Sequence, residues 1–579
     1  MQASAARGVF LRQRLRVLVL AAALPVALAG CAGGMGGDGA AQGGGARRSA
    51  MVAGSSASGA YLAGRFAQAH NDPSAASHFL LKALKADPEN VELLQRTSLA
   101  LAADGHLPEA AVLSRRLLQF DSEAALAAML VAEQEARAGN WANAEELVAK
   151  LPRRGITTAI VPLITAWSRF GQGRVDAALE ALQPLSQQSS YSMLHDFHAA
   201  LINDLADRRK AAEENFRGTM AGNARLPLRS IEAALSFYRR TNQPDKVKEL
   251  VERTRADHGD AVDMLLAEPP QRIVDGPRSG LAEAYFSGAV TLRQGGANDL
   301  ALIFGRMALD LTPGLPGCQV LVADILQGMG RLKEANALFA TVDPKSSLYW
   351  STQLRLAANL DALGDLDGAI KALEALSTQH PERPDPLITM GDLERSHQHW
   401  AEAATAYGRA LATFPKLEKD DWSLLYSRGI AYERSGQWTL AESDFLKALE
   451  LQPDEPHVLN YLGYTWIDKG MNLDKAQKMI ERAVEQLPTD GDIIDSLGWA
   501  FYRTGHYAKA VETLQRAVEL HPEESTINEH LGDALWLVGR KEEARYQWQR
   551  ALTFNPEPDQ KVALEQKLKS GLKPPVPVK

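Results

Sequence analysis

The chain repeats itself, and this self-similarity limits its possible folds more than any other property. Near the C-terminus Leu462-Gly463-Tyr464, Leu497-Gly498-Trp499 and Leu531-Gly532-Asp533 each lead to an alanine (Ala476, Ala510, Ala544), then a second alanine (Ala483, Ala517, Ala551) and a proline (Pro488, Pro522, Pro556). Stepping back by about 34 residues at a time recovers the frame in fourteen places. Its small residue is Gly64, Ser98, Ala132, Ala166, Ala200, Ala234, Gly288, Ala323, Ala357, Gly391, Gly429, Gly463, Gly498 and Gly532. Twelve or thirteen positions later comes an alanine in every copy but one, where Lys246 stands.

The frame has a physical reading. Two antiparallel helices approach closely only where their crossing lacks bulk, so a small residue on the first faces an alanine on the second. Seven residues past the small position fall Gly105, Gly139, Gly173, Gly295, Gly330, Gly364, Gly436, Gly470, Gly505 and Gly539, with Asn71 in the first copy. Glycine and asparagine accept the left-handed conformation that ends a helix. Prolines such as Pro88, Pro313, Pro381, Pro415 and Pro453 then stop the second helix. One such hairpin cannot bury its apolar face alone, and stacking makes the core continuous.

Over roughly residues 57–556 this pattern resembles the tetratricopeptide repeat. The resemblance implies an all-α, right-handed solenoid of about fourteen helix pairs in two halves. A degenerate N-terminal array of about six repeats is expected over 57–254, where Ala or Ser replaces Gly and the proline is mostly lost. Between Ala234 and Gly288 the frame slips, with Pro269-Pro270 and Gly276-Pro277 in the gap. We expect a crossover linker over 255–280, then about eight repeats over 281–556. Residues 557–579 should form a capping helix (Asp559–Ser570) and a stiff tail, Pro574-Pro575-Val576-Pro577.

The N-terminus reads as an address. Residues 1–30 carry Arg7, Arg12, Arg14 and Arg16 and no acid, followed by apolar Val17–Leu28 and then Ala29-Gly30-Cys31. Basic head, short apolar core and small residues before a cysteine resemble the bacterial lipoprotein signal. The resemblance implies cleavage before Cys31, lipidation of that cysteine and, with Ala32 next, sorting to the outer membrane. Several acyl chains hold a protein firmly where one binds marginally. Residues 31–56 then form a glycine-rich tether, and their Gly34-x-Gly36-x-x-Gly39 lacks the strand and helix of a dinucleotide fingerprint. Without residues 1–30 the chain keeps 59 basic against 71 acidic residues, which disfavours nucleic acid as a partner.

Chemistry-bearing motifs are sparse. No phosphate-binding loop, His-Glu-x-x-His or Gly-x-Ser-x-Gly elbow occurs. Cys318 reads as a small buried hydrophobe. His195 and His198 share a helix face without a third ligand, so no metal is assigned. Paired acids Asp420-Asp421 and Glu542-Glu543 begin or precede helices, where the dipole favours negative charge. We expect no enzyme, no cofactor and no small-molecule substrate.

In the resembled family the concave face is lined from the first helix of each pair, at −6, −3, +1, +4 and +5 from the small residue. In the last repeats these positions hold Tyr426, Arg434, Asn460, Tyr464, Asp495, Trp499, Tyr502, Arg503, Glu529, Asp533 and Trp536. Aromatic and arginine side chains suit a protein-binding groove. The +1 residues Ile430, Tyr464, Trp499 and Asp533 include no asparagine, so the family's clamp for a C-terminal carboxylate is not expected. Leu459–Tyr464 and Asp495–Trp499, with the cysteine signal and tether, resemble the LbcA-like outer-membrane lipoprotein adaptors. That likeness implies an adaptor binding a periplasmic carboxyl-terminal processing protease and presenting murein hydrolases to it. The alternative is a scaffold in an envelope-assembly or polysaccharide-export machine.

Overall fold

The computed structural model describes residues 56–221 and 225–572. The signal-like stretch, Cys31, the tether up to residue 55 and the proline tail lie outside the described residues. Among those described there are thirty α-helices, one short 3-10 turn (Lys419–Asp421) and no strand.

Fourteen antiparallel pairs account for twenty-eight of the helices. The first six are α1/α2 (Ala57–Ala69, Pro73–Ala86), α3/α4 (Val91–Asp104, Leu107–Phe120), α5/α6 (Ala125–Arg137, Trp141–Ala149), α7/α8 (Thr157–Gly171, Val175–Ser186), α9/α10 (Ser192–Leu205, Arg209–Thr219) and α11/α12 (Leu228–Arg240, Pro244–His258). The extra segment carries α13 (Asp260–Ala267). Then come α14/α15 (Pro277–Gln294, Asn298–Leu311), α16/α17 (Pro316–Gly328, Leu332–Phe339), α18/α19 (Tyr349–Ala362, Leu366–Gln379) and α20/α21 (Asp385–Ser396, Trp400–Ala412). The last four are α22/α23 (Trp422–Arg434, Trp438–Leu451), α24/α25 (Pro456–Lys469, Leu473–Gln486), α26/α27 (Gly491–Arg503, Tyr507–Leu520) and α28/α29 (Ser525–Leu537, Lys541–Thr553). The expected capping helix is α30 (Pro558–Ser570).

Local chemistry sets the helix ends. Side chains of Ser56, Asp72, Asn90 and Asp490 accept hydrogen bonds from backbone N–H groups of the first turns, and proline opens α2, α12, α14, α16, α24 and α30. At the turn the glycines adopt positive φ as expected, and Asn71, Asp207 and Gln398 fill the same slot elsewhere. The position shifts by one residue in two repeats, first where α11 ends, with Thr241 at φ −94° and Asn242 at +57°. Gly295 has φ −79° and Gly296 takes the left-handed role at +77°, because α14 runs one residue past the frame.

The small residues fit closely. A Cβ on Gly391, Gly429, Gly498 or Gly532 would lie within 2.6 Å of Tyr407, Phe445, Leu514 or Trp548, sixteen residues later. At Gly463 and Gly532 the next contact is the carbonyl of the alanine in the frame, Ala476 or Ala544, near 3 Å. The alanine therefore lets the backbones close, and a large side chain one turn beyond fills the space over the glycine.

The chain divides into two compact units at Ala372/Leu373, within α19. The segment expected as a crossover thus lies inside the first unit. There α14 packs on α7 and α9, and α15 on α3 and α5. These are first helices of their pairs, so the seventh hairpin sits in the concave face of the first six. In the second unit, first helices contact each other in series, α24 with α26 and α26 with α28, and α30 packs on α29.

Candidate protein-binding faces

In the first unit the concave face is occupied by the chain itself. Gly280 of α14 lies flat under Trp167, where a Cβ would come within 2.2 Å of the ring. Tyr285 donates to the Met129 carbonyl at 3.2 Å. Arg229 of α11 holds the buried Glu283 carboxylate and also binds Glu232 at 2.8 Å. Asp310 of α15 accepts from Gln134 at 3.0 Å and pairs with Arg137 at 3.2 Å. Burial drives the nearby Glu133 carboxyl up to about 8, so it is largely neutral at pH 7.

The two histidines on α9 do different work. His198 is fully buried, and burial pushes its pKa down to about 3. Trp167 Nε1 donates to its Nδ1 at 3.1 Å, which leaves Nε2–H to meet Ser287 Oγ at 3.3 Å. His195 instead contacts Asp196 at 3.0 Å. Cys318 is buried, its thiol donating to the Gly305 carbonyl at 3.3 Å, and burial raises its pKa well above the usual thiol value.

The second unit carries the sequence-derived groove set, on α22, α24, α26 and α28. Tyr426 packs with Trp422, Phe445 and Tyr461 at centroid distances near 6 Å. Arg434 is exposed and reaches over the Trp400 ring at 5.9 Å. The amide oxygen of Asn460 is buried without a hydrogen-bond partner. Tyr464 is half-buried, its hydroxyl pKa raised by burial and then by the Asp495 and Asp468 charges. Arg503 binds Asp468 at 2.9 Å and lies over the Trp499 ring at 6.0 Å.

Towards the end of the array these side chains are bound to one another. Trp499 stacks on Tyr502 (4.7 Å, 12°) and on His530 (4.0 Å, 17°). His530 donates to both oxygens of Asp495, at 2.9 and 3.0 Å. Burial opposes charge on His530, yet Asp495, Asp533 and Glu529 outweigh it and raise its pKa. Glu529 and Asp533 both bind Lys567 of α30, at 2.6 and 2.7 Å. Asp533 also accepts from Trp548 Nε1 at 2.9 Å. Trp536 lies against Trp548 at 5.3 Å and beside Gly571. Glu529 and Trp536, expected to line the groove, are therefore engaged by the C-terminal cap, Asp495 and Tyr502 are buried, Tyr464 and Arg503 are partly exposed, and Arg434 is exposed. Sequence reading passed over His530, Asp468, Tyr461 and Lys567. His530 and Tyr461 share the −2 position of the frame, from which each reaches back to the preceding repeat. Lys567 lies outside the repeat and carries no periodic signal.

A tetratricopeptide-repeat family model matches residues 388–456 and 496–559, and a second matches 351–383. The first two spans cover helix pairs whose glycine crossings are described above, and the third covers α18 and α19, whose small residue is Ala357. The chain carries tetratricopeptide repeats over these residues. This repeat protein is 30% identical over 190 residues to the TPR repeat-containing protein PA4667 of Pseudomonas aeruginosa, 31% of each chain. It thus spans about a third of the length of that curated relative. Among solved structures it is similar to a chain of the APC/C hetero-tetramer Cut9-Hcn1, at 15% identity over 91% of this chain and 99% of that one, with a TM-score of 0.35. Yeast Tom70 gives 14% identity, 89% and 95% coverage and a TM-score of 0.32. A tetratricopeptide repeat protein from Parabacteroides merdae gives 16%, 50% and 97%, with 0.34. Repeats of this kind are protein-interaction modules. Among the described residues no group of acids, histidines and cysteines is arranged to hold a metal ion, and no helix is long and apolar enough to cross a membrane.

Proposed function

We propose that the protein is a non-enzymatic adaptor, anchored through Cys31 to the outer membrane on its periplasmic side, that brings a processing protease together with murein hydrolase clients. The observation that carries this reading is the unequal use of the two concave faces. The first holds the chain's own α14 and α15, whereas the second presents Arg434, Tyr464 and the Asp468–Arg503 pair. Rigid aromatics and arginines give contact area and orientation at low entropic cost. Holding two partners on one anchored chain raises their effective concentration without any chemistry by the scaffold. The cysteine signal and the sequence likeness of Leu459–Tyr464 and Asp495–Trp499 to lipoprotein adaptors support the location and the partners.

The test is capture of partners from periplasm by the wild-type chain and by an Arg434→Glu, Tyr464→Ala variant. The wild type should enrich a processing protease or a murein hydrolase, and the variant should retain about a tenth as much or less, with unchanged thermal unfolding. Recovery of an integral outer-membrane export protein instead would overturn the adaptor reading in favour of an envelope-assembly scaffold. Capture equal in wild type and variant would remove the second unit's face from the mechanism.

A further inference from the structure

The first helix of the array presents an apolar face that nothing in the described structure covers. Leu62 and Phe66, one turn apart on α1, are 66% and 67% exposed, with exposed Arg65 and Ala69 beside them. In interior repeats the corresponding side of a first helix is covered by the preceding hairpin. Solenoids usually end in a polar outer face, and α30 comes close to this, with Val562 exposed among exposed Lys561, Glu565, Gln566 and Lys569. At α1 the ending is apolar.

Three observations select the occupant. The first is size: Leu62 and Phe66, 66% and 67% exposed, together present about 250 Å², far short of the ~800 Å² each partner gives to a stable protein interface. The second is charge. Helix α1 contains no acid and carries Arg65, which donates to the Tyr61 hydroxyl at 3.1 Å with Glu92 of α3 as the nearby acid, and Arg47-Arg48 stand just before the helix in the sequence. The third is proximity along the chain: 24 residues separate Cys31 from Ser56, which bounds how far α1 can lie from a lipidated Cys31. We propose that Leu62 and Phe66 insert into the lipid surface at headgroup depth, with Arg65 on anionic phosphates, so that α1 seats the solenoid on the membrane. An amphipathic helix of this kind binds too weakly alone and strongly when a second anchor holds it nearby. The inference rests on lipidation of Cys31.

The full-length acylated protein, reconstituted in phosphatidylethanolamine/phosphatidylglycerol vesicles, gives the test. A Phe66→Cys variant and a Val112→Cys control, 59% exposed on α4 of the same unit, are each labelled with an environment-sensitive fluorophore. The buried Cys318 does not compete for the label. We expect blue-shifted emission at position 66 and about fivefold stronger quenching by headgroup-region spin-labelled lipid than at 112. Equal quenching at both positions in a chain that floats with the vesicles overturns the seating and leaves the anchor standing. A chain that does not float overturns the anchor and the seating together. Shielding at 66 that grows with protein concentration without lipid quenching also overturns the proposal, assigning the face to a second copy.

Discussion

Two glycines of the second unit are required for different reasons, and substitution separates them. At Gly532 an added methyl would lie 2.5 Å from Trp548, a buried ring fixed by its bond to Asp533. Gly532→Ala should therefore cost about 1–3 kcal/mol despite alanine's better helix propensity. At Gly436, φ is +79° and no atom lies within 4 Å of the added carbon, so Gly436→Ala should cost about 1 kcal/mol through backbone strain alone. Gly436→Asn should recover part of that loss, whereas Gly532→Asn should be worse than Gly532→Ala; urea unfolding of the four variants measures both. His530 makes a third residue-scale case. Its pKa is raised in the folded chain, so its pairing with Asp495 stabilises fully below the ordinary value near 6.5. That stabilisation is lost as pH climbs through the raised folded value. His530→Gln should be most destabilising relative to wild type near pH 5.5, with the gap narrowing by pH 9 in urea melts monitored by Trp fluorescence.

Among elements, α14 distinguishes the first unit from a simple stack. Its glycine under Trp167, its tyrosine on the Met129 carbonyl and its carboxylate on Arg229 together fix it inside the concave face. Arg229→Ala leaves Glu283 buried and uncompensated and should cost about 3–5 kcal/mol. Thermal unfolding should show the loss, and limited proteolysis should cut faster in 268–276, while Gly436→Ala leaves that cleavage rate unchanged. The helix pairs themselves were legible in the sequence, because a close crossing and a left-handed turn demand particular residues at fixed local spacing. The placement of α14 was not. Tyr285 and Met129 are 156 residues apart, and no periodicity encodes which helix fills a hollow made elsewhere. The groove set was legible in part for a related reason. Concave positions follow from the frame, but Lys567 lies beyond it, so its hold on Glu529 and Asp533 appears only once α30 is docked.

For the molecule as a whole, a filled hollow and a serial stack respond differently to tension. In residues 373–572 each pair is held mainly by its neighbours, so loss of one pair leaves the next intact. In residues 56–372 the seventh hairpin bonds to helices from the second, third, fourth, fifth and sixth pairs at once, and none can peel away while it stays seated. Stretched between the ends in an optical trap, the later residues should lengthen in small steps, each releasing about 34 residues or about 110–120 Å of contour before correction for folded length. The earlier residues should give way in one rupture at higher load. If the proposed anchor holds one end and a bulky partner pulls the other, the later residues would yield first, acting as a shock absorber while the earlier residues stay folded.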